Sequence, residues 1–301
     1  MQRAKDLSRA IRGVGVTPAT PFNDNLERID RAGLRSNLEF LVESGVSLLY
    51  PAGNTGEAMS LSADEWTTIV EVALVVAGDG VAVLPGIGHE YTVALELAGR
   101  ARTLGVDGLL LMPRVQPYAS SLGLVEYWKA ILEGSELPGV VYKRGLPGLD
   151  DLFDLVSDDR VIACKYADKD VSEFRSTVSS ANSNVIWTCG IAERYAPFYH
   201  QAGAAGFTSG LANFAPRISL ELHKALDEGD YQKALDLRHR TLPFEEIRAR
   251  NGDAFNVAAV KTAMDMSGLA GGRVRPPLID LDDRAIGDVE EVLPSLIGVA
   301  A

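Results

Sequence analysis

The sequence predicts an α/β protein, a (β/α)8 TIM barrel with a C-terminal helical extension, and three observations carry that prediction. Apolar runs of strand length recur eight times, each ending in Gly, Pro or polar residues and each followed by an amphipathic helical pattern. The runs are apolar on both faces, as strands of a parallel sheet covered by helices must be. Eight is also the number of strand–helix units that closes a barrel. An open doubly wound sheet is the competitor, but it more often carries a Gly-rich dinucleotide turn after its first strand. Thr17-Pro-Ala-Thr-Pro21 is no such turn.

A short helical opening leads into the first strand run, Gly13 to Thr20, and Arg31 to Ser44 then places apolar residues at three- and four-residue steps. Val46 to Ala52 is the second run; the helix after it, Ala63 to Ala77, is favoured at its start by Asp64 and Glu65. Val81 to Gly88 precedes a helix at Tyr91 to Leu104, and Gly108 to Met112 precedes one at Ser120 to Glu133. Gly139 to Lys143, Val161 to Tyr166 and Val185 to Gly190 alternate with shorter helices at Leu149 to Ser157, Val171 to Ser179 and Glu193 to Gln201. Gly206 to Leu211 is the eighth run. From Pro216 the pattern is helix upon helix: Ile218 to Glu228, Tyr231 to Arg250, Phe255 to Ser267 and Asp288 to Leu296. No flexible linker intervenes, so residues 1–215 read as the barrel with its N-terminal helix and 216–301 as an extension packed on it.

A chain of 301 residues can bury a large core, and 47% hydrophobic with 23% charged residues is ordinary for a globular protein. The formal charge of -12 argues against nucleic acid or an anionic membrane as partner, though a local group of donors can still bind a small anion. Cys164 and Cys189 are too few for a disulfide scaffold, which together with no visible signal peptide predicts a cytoplasmic protein. No stretch reaches membrane-spanning length without charges or breakers. The four histidines show no ligand spacing, so neither a metal nor another cofactor is expected. Only His89 sits at a strand end, where a solvated loop position is expected.

In a barrel, reacting groups sit at the C-terminal ends of strands. The first end offers Thr17 and Thr20, the second Gly53-Asn54-Thr55-Gly56-Glu57, the third His89 and Glu90, and the fourth Arg114. The fifth offers Tyr142, Lys143 and Arg144, the sixth Lys165, the seventh Glu193 and Arg194, and the eighth Ser209 and Asn213. Lys165 is the anomaly, because a buried ammonium is costly and lowers its pKa to survive, becoming a nucleophilic amine. The bland alternatives are a lysine reaching out of the barrel mouth or one paired with Asp168. If Lys165 points inward, alternation turns Cys164 and Tyr166 toward the helices, and Cys164 is then a small buried hydrophobe. Tyr142, on the neighbouring strand, can shuttle protons to a lysine adduct, or it can be a core tyrosine. The Gly53–Glu57 turn suits a carboxylate through exposed N–H groups, or is an ordinary strand–helix turn.

With those residues assembled, the chain resembles the dihydrodipicolinate synthase / N-acetylneuraminate lyase family of class I aldolases. The likeness rests on Gly15-Val-Thr-Pro18, Pro21-Phe22, Gly53-Asn-Thr-Gly-Glu57, Gly139-Val-Val-Tyr142, Lys165, and Gly206-Phe-Thr-Ser-Gly210 with Asn213. The resemblance implies that Lys165 forms a Schiff base with a 2-oxo acid, that Tyr142 relays protons and that Thr55 orients the tyrosine. It implies carboxylate binding at Gly53, Asn54 and Thr55, and a homotetramer arranged as a dimer of dimers. Thr17, Arg144, Ser209 and Asn213 complete the candidate substrate-binding set, with Arg144 or Ser209 for the distal end of a diacid. Members that make dihydrodipicolinate usually have two threonines in the turn, where this chain has Asn54, and a tyrosine where it has Val115. A closer likeness is to the 5-dehydro-4-deoxyglucarate dehydratases, through Ala52 to Glu57, Val141-Tyr-Lys-Arg144, Ile247-Arg-Ala-Arg250 and Val274-Arg-Pro-Pro-Leu278. Lys143 departs from that group, which usually has asparagine there. The expected activity is therefore a Schiff-base sugar-acid dehydratase. The alternatives are a ketodeoxy-acid or pyruvate-dependent aldolase, a 4-hydroxy-tetrahydrodipicolinate synthase, or a catalytically silent keto-acid-binding barrel.

Overall fold

The computed structural model describes residues 6–298 apart from 115, 182 and 183. The strands are β1 (Val14–Val16), β2 (Leu48–Leu49), β3 in two pieces (Ala82–Val83 and Gly86–Ile87), β4 (Leu109–Leu111), β5 (Gly139–Lys143), β6 (Val161–Tyr166), β7 (Ile186–Cys189) and β8 (Gly206–Ser209). Every pairing between them is parallel. The first piece of β3 pairs with β2 and the second with β4, and these two pieces stand at opposite ends of the sheet order. Pro85, lacking an N–H, interrupts the strand between them. Leu84 still donates to Leu49 O (2.9 Å), and Pro85 O accepts from Leu110 N (3.0 Å), so hydrogen bonds run through the break. The order thus closes on itself as an eight-stranded barrel.

Strand alternation divides the interior in two. Leu48, Tyr50, Leu84, Leu110, Met112, Val140, Tyr142 and Ala163 fill the barrel. Val141, Cys164, Tyr166 and Trp187 face the helices, where Tyr166 and Tyr199 pack around Phe174 at 5.1 and 4.4 Å between ring centres. Cys164 is fully buried, and burial pushes its thiol well above the ordinary value, so it behaves as the small hydrophobe expected.

Helices follow the strands as the pattern predicts, from Arg31–Glu43 to Ala192–Gln201. Ala63–Ala77 starts on a capping box, with Ser62 and Glu65 satisfying each other's free N–H groups. Pro216–Asp227 packs against β1 and β8 and completes the ring of outer helices, a place the sequence assigned to nothing after residue 215. The helices beyond it are Tyr231–Arg248, Asn256–Met266 and Asp283–Ile297. The last begins five residues before the expected Asp288, because Asp282 caps Ala285 N (2.8 Å) ahead of a first turn that lacks apolar periodicity. No helix is long and apolar enough to cross a membrane among the described residues.

Candidate active site

Lys165 and Tyr142 are register partners on adjacent strands. Both side chains point into the barrel mouth, and the lysine Nζ lies 3.8 Å from the centre of the tyrosine ring. Lys165 is only 5% exposed. Burial holds its amine below the ordinary lysine range; the nearby Arg144 charge pushes the same way, and Tyr142 opposes it. The alternative pairing with Asp168 is not made. That carboxylate accepts instead from Lys143 Nζ and from Gly145 N (2.7 Å). Lys143 points outward from the barrel, so its departure from asparagine serves a structural ion pair and leaves Lys165 with no carboxylate partner among the described residues.

The Gly53–Glu57 turn faces this pair. Asn54 Nδ2 donates to Tyr142 Oη at 3.2 Å, so among the described residues the hydrogen bond to the tyrosine comes from Asn54. Thr55 is buried in the cavity wall beside it. Gly53 is set by packing: a Cβ there would sit 2.6 Å from Thr17 Cγ2. The turn is held from outside. Glu57, in the left-handed region at φ 58°, is buried and accepts from Lys261 Nζ (2.7 Å) and Arg275 N (2.8 Å). Both partners come from the C-terminal extension.

These groups open on a cavity of about 780 Å³, within the range for small-molecule sites. Of the predicted residues, Thr17, Asn54, Thr55, Tyr142, Arg144, Lys165 and Ser209 line it. Gly53 lies behind that surface. Asn213 does not reach it, contrary to its expected substrate contact: its side chain accepts from Ala19 N (2.8 Å) and donates to Thr17 O (3.0 Å) and Gly210 O (2.9 Å). It ties the ends of β1 and β8 together. Arg144 is half-exposed at the rim, 3.6 Å from Asp253. Val115 lies outside the described residues. His89 is buried rather than solvated, its ring nitrogens have no hydrogen-bond partner of good geometry among the described residues, and burial lowers its pKa. Among the described residues no group of three or more His, Cys, Asp or Glu side chains is gathered to hold a metal ion.

Sequence reasoning missed what the extension brings in. Arg248, buried, lines the cavity next to β8, held by Glu245 Oε1 (2.6 Å) and Asn256 Oδ1 (2.9 Å). Its only sequence signal was the Ile247–Arg250 motif. A Cβ on Gly210 would sit 2.7 Å from Arg248 Nη2, so the guanidinium occupies the space of a side chain. Gly210→Ala should therefore cost about 1–3 kcal/mol of stability, read as a lowered thermal midpoint. An unchanged midpoint would show that Arg248 moves aside freely.

The model of the dihydrodipicolinate synthetase family matches residues 10–295. A probable 5-dehydro-4-deoxyglucarate dehydratase of Allorhizobium ampelinum is 32% identical over 301 residues, covering 97% of each chain. A 4-hydroxy-tetrahydrodipicolinate synthase of Methanothrix thermoacetophila is also 32% identical, covering 94% of this chain at 291 aligned residues and 96% of its own length. The crystal structure of dihydrodipicolinate synthase from Bacillus clausii superposes with a TM-score of 0.92 at 31% identity, covering 96% of this chain and 99% of that one. Equal identity to a dehydratase and a synthase leaves the substrate to the site itself. With the fold, the register of Lys165 and Tyr142, and a match across nearly its whole length, the chain belongs to the dihydrodipicolinate synthetase family.

Proposed function

We propose that this protein is a Schiff-base-forming dehydratase of 2-keto-3-deoxy sugar acids, of the kind that acts on 5-dehydro-4-deoxyglucarate. The observation that carries the proposal is a buried lysine amine with no carboxylate partner, in register with a tyrosine at the floor of a cavity. Numbering from the keto-acid end, Lys165 adds to the C2 carbonyl and loses water to give an iminium. The iminium draws electrons and acidifies the C3 proton, which Tyr142 removes to leave an enamine. The enamine then expels the C4 hydroxyl. The Gly53–Thr55 backbone N–H groups hold the C1 carboxylate, fixing C2 against the amine.

Asn54 leaves Tyr142 a local proton carrier, which serves elimination and carbon–carbon cleavage alike. An amide N–H donates to the phenol oxygen but does not pass a proton onward, so Tyr142 works as a local proton carrier. One group that takes the C3 proton and returns it to the departing C4 hydroxyl is what elimination requires. Tyr142→Phe should cut turnover about 10²–10⁴-fold with little change in thermal midpoint. Unchanged turnover would remove Tyr142 from the mechanism.

We further read the protein as a cytoplasmic homotetramer with no cofactor. Family resemblance supports the assembly, and two scattered buried thiols support a reducing compartment. The deciding experiment is a product screen with 5-dehydro-4-deoxyglucarate, other ketodeoxy sugar acids, pyruvate with aldehydes, and pyruvate with aspartate semialdehyde. Water loss from the first class supports the dehydratase. Carbon–carbon cleavage or condensation would replace it with an aldolase or synthase, and binding without turnover would leave a silent keto-acid barrel.

A further inference from the structure

A chain of three side chains runs from the protein interior to the cavity beside β8. Ser209, at the end of β8, lines the cavity, and its Oγ accepts from Ala212 N at 2.8 Å. Ser209 Oγ and Ser219 Oγ are 3.2 Å apart, and Ser219 donates to Glu193 Oε1 at 2.5 Å. Glu193 opens the helix Ala192–Gln201 and is fully buried; among the described residues its Oε2 has no partner of good hydrogen-bond geometry, though the Ser209 hydroxyl, like that of Ser219, lies close enough to favour the carboxylate. A buried carboxylate with one poorly satisfied oxygen is costly, so its retention calls for an explanation.

The direction of the hydrogen bonds supplies one. An ionised Glu193 can only accept, so the single Ser219 hydrogen must go to it. Ser219 then accepts from Ser209, and the Ser209 hydrogen is taken. What Ser209 has left for the cavity is a lone pair. We propose that Glu193, acting through Ser219, is a positioning residue that makes Ser209 the acceptor for a substrate hydroxyl. This inference rests on the keto-acid reading above and deepens it. The substrate presents a hydroxyl donor to Ser209, while a far carboxylate, being itself an acceptor, is left to cations lining the same cavity, Arg248, Arg194, Arg144 and Lys169.

Protonation reverses the chain. Burial first, and the Glu245 charge second, push Glu193 up to about 6. The charged or titratable groups facing it are Glu245, on Tyr231–Arg248 and paired with Arg248, and the Cys189 thiol, which burial pushes up to about 12 and so keeps neutral. Once protonated, Glu193 can donate from Oε1 to Ser219, Ser219 can donate to Ser209, and the Ser209 hydrogen turns into the cavity. The hydroxyl of the substrate then meets a donor in place of an acceptor.

The test compares two ligands in the wild-type enzyme: 5-dehydro-4-deoxyglucarate, by its KM, and pyruvate, by the concentration giving half-maximal borohydride trapping on Lys165. Pyruvate lacks the hydroxylated end, so it reports the Schiff-base half alone. The ratio of the two constants should rise about three- to tenfold as pH falls from about 8 to about 5, the size of one neutral hydrogen bond lost. Glu193→Gln and Ser219→Ala should each make that ratio flat with pH and leave pyruvate trapping unchanged, and Ser219→Ala, which frees the Ser209 hydrogen, should raise KM more than it lowers kcat. A flat ratio in the wild type overturns the inference even if both variants fail to fold, as does a pH-dependent ratio surviving in either variant. Variants that lose pyruvate trapping and KM equally also overturn it, in favour of a structural role. If the wild type traps no pyruvate at all, the keto-acid reading itself fails.

Discussion

Lys165→Ala should abolish borohydride trapping of pyruvate and lower turnover by about 10⁴-fold or more, the scale on which removing a covalent nucleophile acts. The fold should survive, because Lys165 makes no ion pair among the described residues and its loss leaves space at the barrel mouth rather than an unpaired charge. Intact mass after reduction reads the result directly: the wild-type chain gains the keto acid and the variant gains nothing. A pH series adds a second check with a definite sign. Only the neutral amine attacks a carbonyl, so trapping speeds up as pH rises through the lysine's pKa. That pKa lies below the ordinary value of 10.5, because burial disfavours the ammonium. Trapping should reach its plateau at a lower pH than it would for an ordinary lysine. A plateau no lower than an ordinary lysine's, or the same adduct on Lys165→Ala, would put the reactive amine elsewhere.

Lys261→Met should be strongly destabilising, costing about 3–5 kcal/mol. Lys261 is fully buried, with its Nζ 2.7 Å from Glu57 Oε1, 2.7 Å from Arg273 O and 4.7 Å from the centre of the Phe22 ring. Methionine fills the volume but leaves Glu57 charged in the dry interior with only the Arg275 N–H against it. The damage should spread to function, since Glu57 ends the turn that faces Lys165 and Tyr142. Chemical denaturation checks the stability, and the KM for the keto acid checks the turn. Removing both charges in Glu57→Gln/Lys261→Met should recover a large part of the loss. If the double variant is no more stable than Lys261→Met, the pair is not what couples the turn to the extension.

Much of the site was legible because two periodicities are local. The step of two along a strand, applied to Val161–Tyr166, puts Lys165 and Cys164 on opposite faces without knowledge of any other element, and the packed barrel decides that the lysine faces in. Parallel pairing with the neighbouring strand then brings Tyr142 level with it. The helix starts were legible where Ser62 and Glu65 form a box, and missed where Asp282 caps a turn with no apolar pattern. His89 reads as a loop histidine from its neighbours and proves buried, because burial at a strand end depends on what folds over it. Asn213 belongs to a motif that points to substrate, yet its three hydrogen bonds all go to backbone.

By itself the sequence determined the barrel and the strand that carries the lysine, because strand and helix periods and turn residues act over a few residues; the sugar-acid reading came from the likeness of its motifs to a known group. Tertiary structure alone decided that Asn54 donates a hydrogen bond to the tyrosine, that Lys143 draws Asp168 away from Lys165, and that Glu57 closes on a lysine 204 positions later. It also placed Arg248 against Gly210 and strung Glu193, Ser219 and Ser209 into one line of hydrogen bonds. Those pairings join residues from different elements, and their partners are chosen by how helices and strands pack and which buried polar groups are left to satisfy one another.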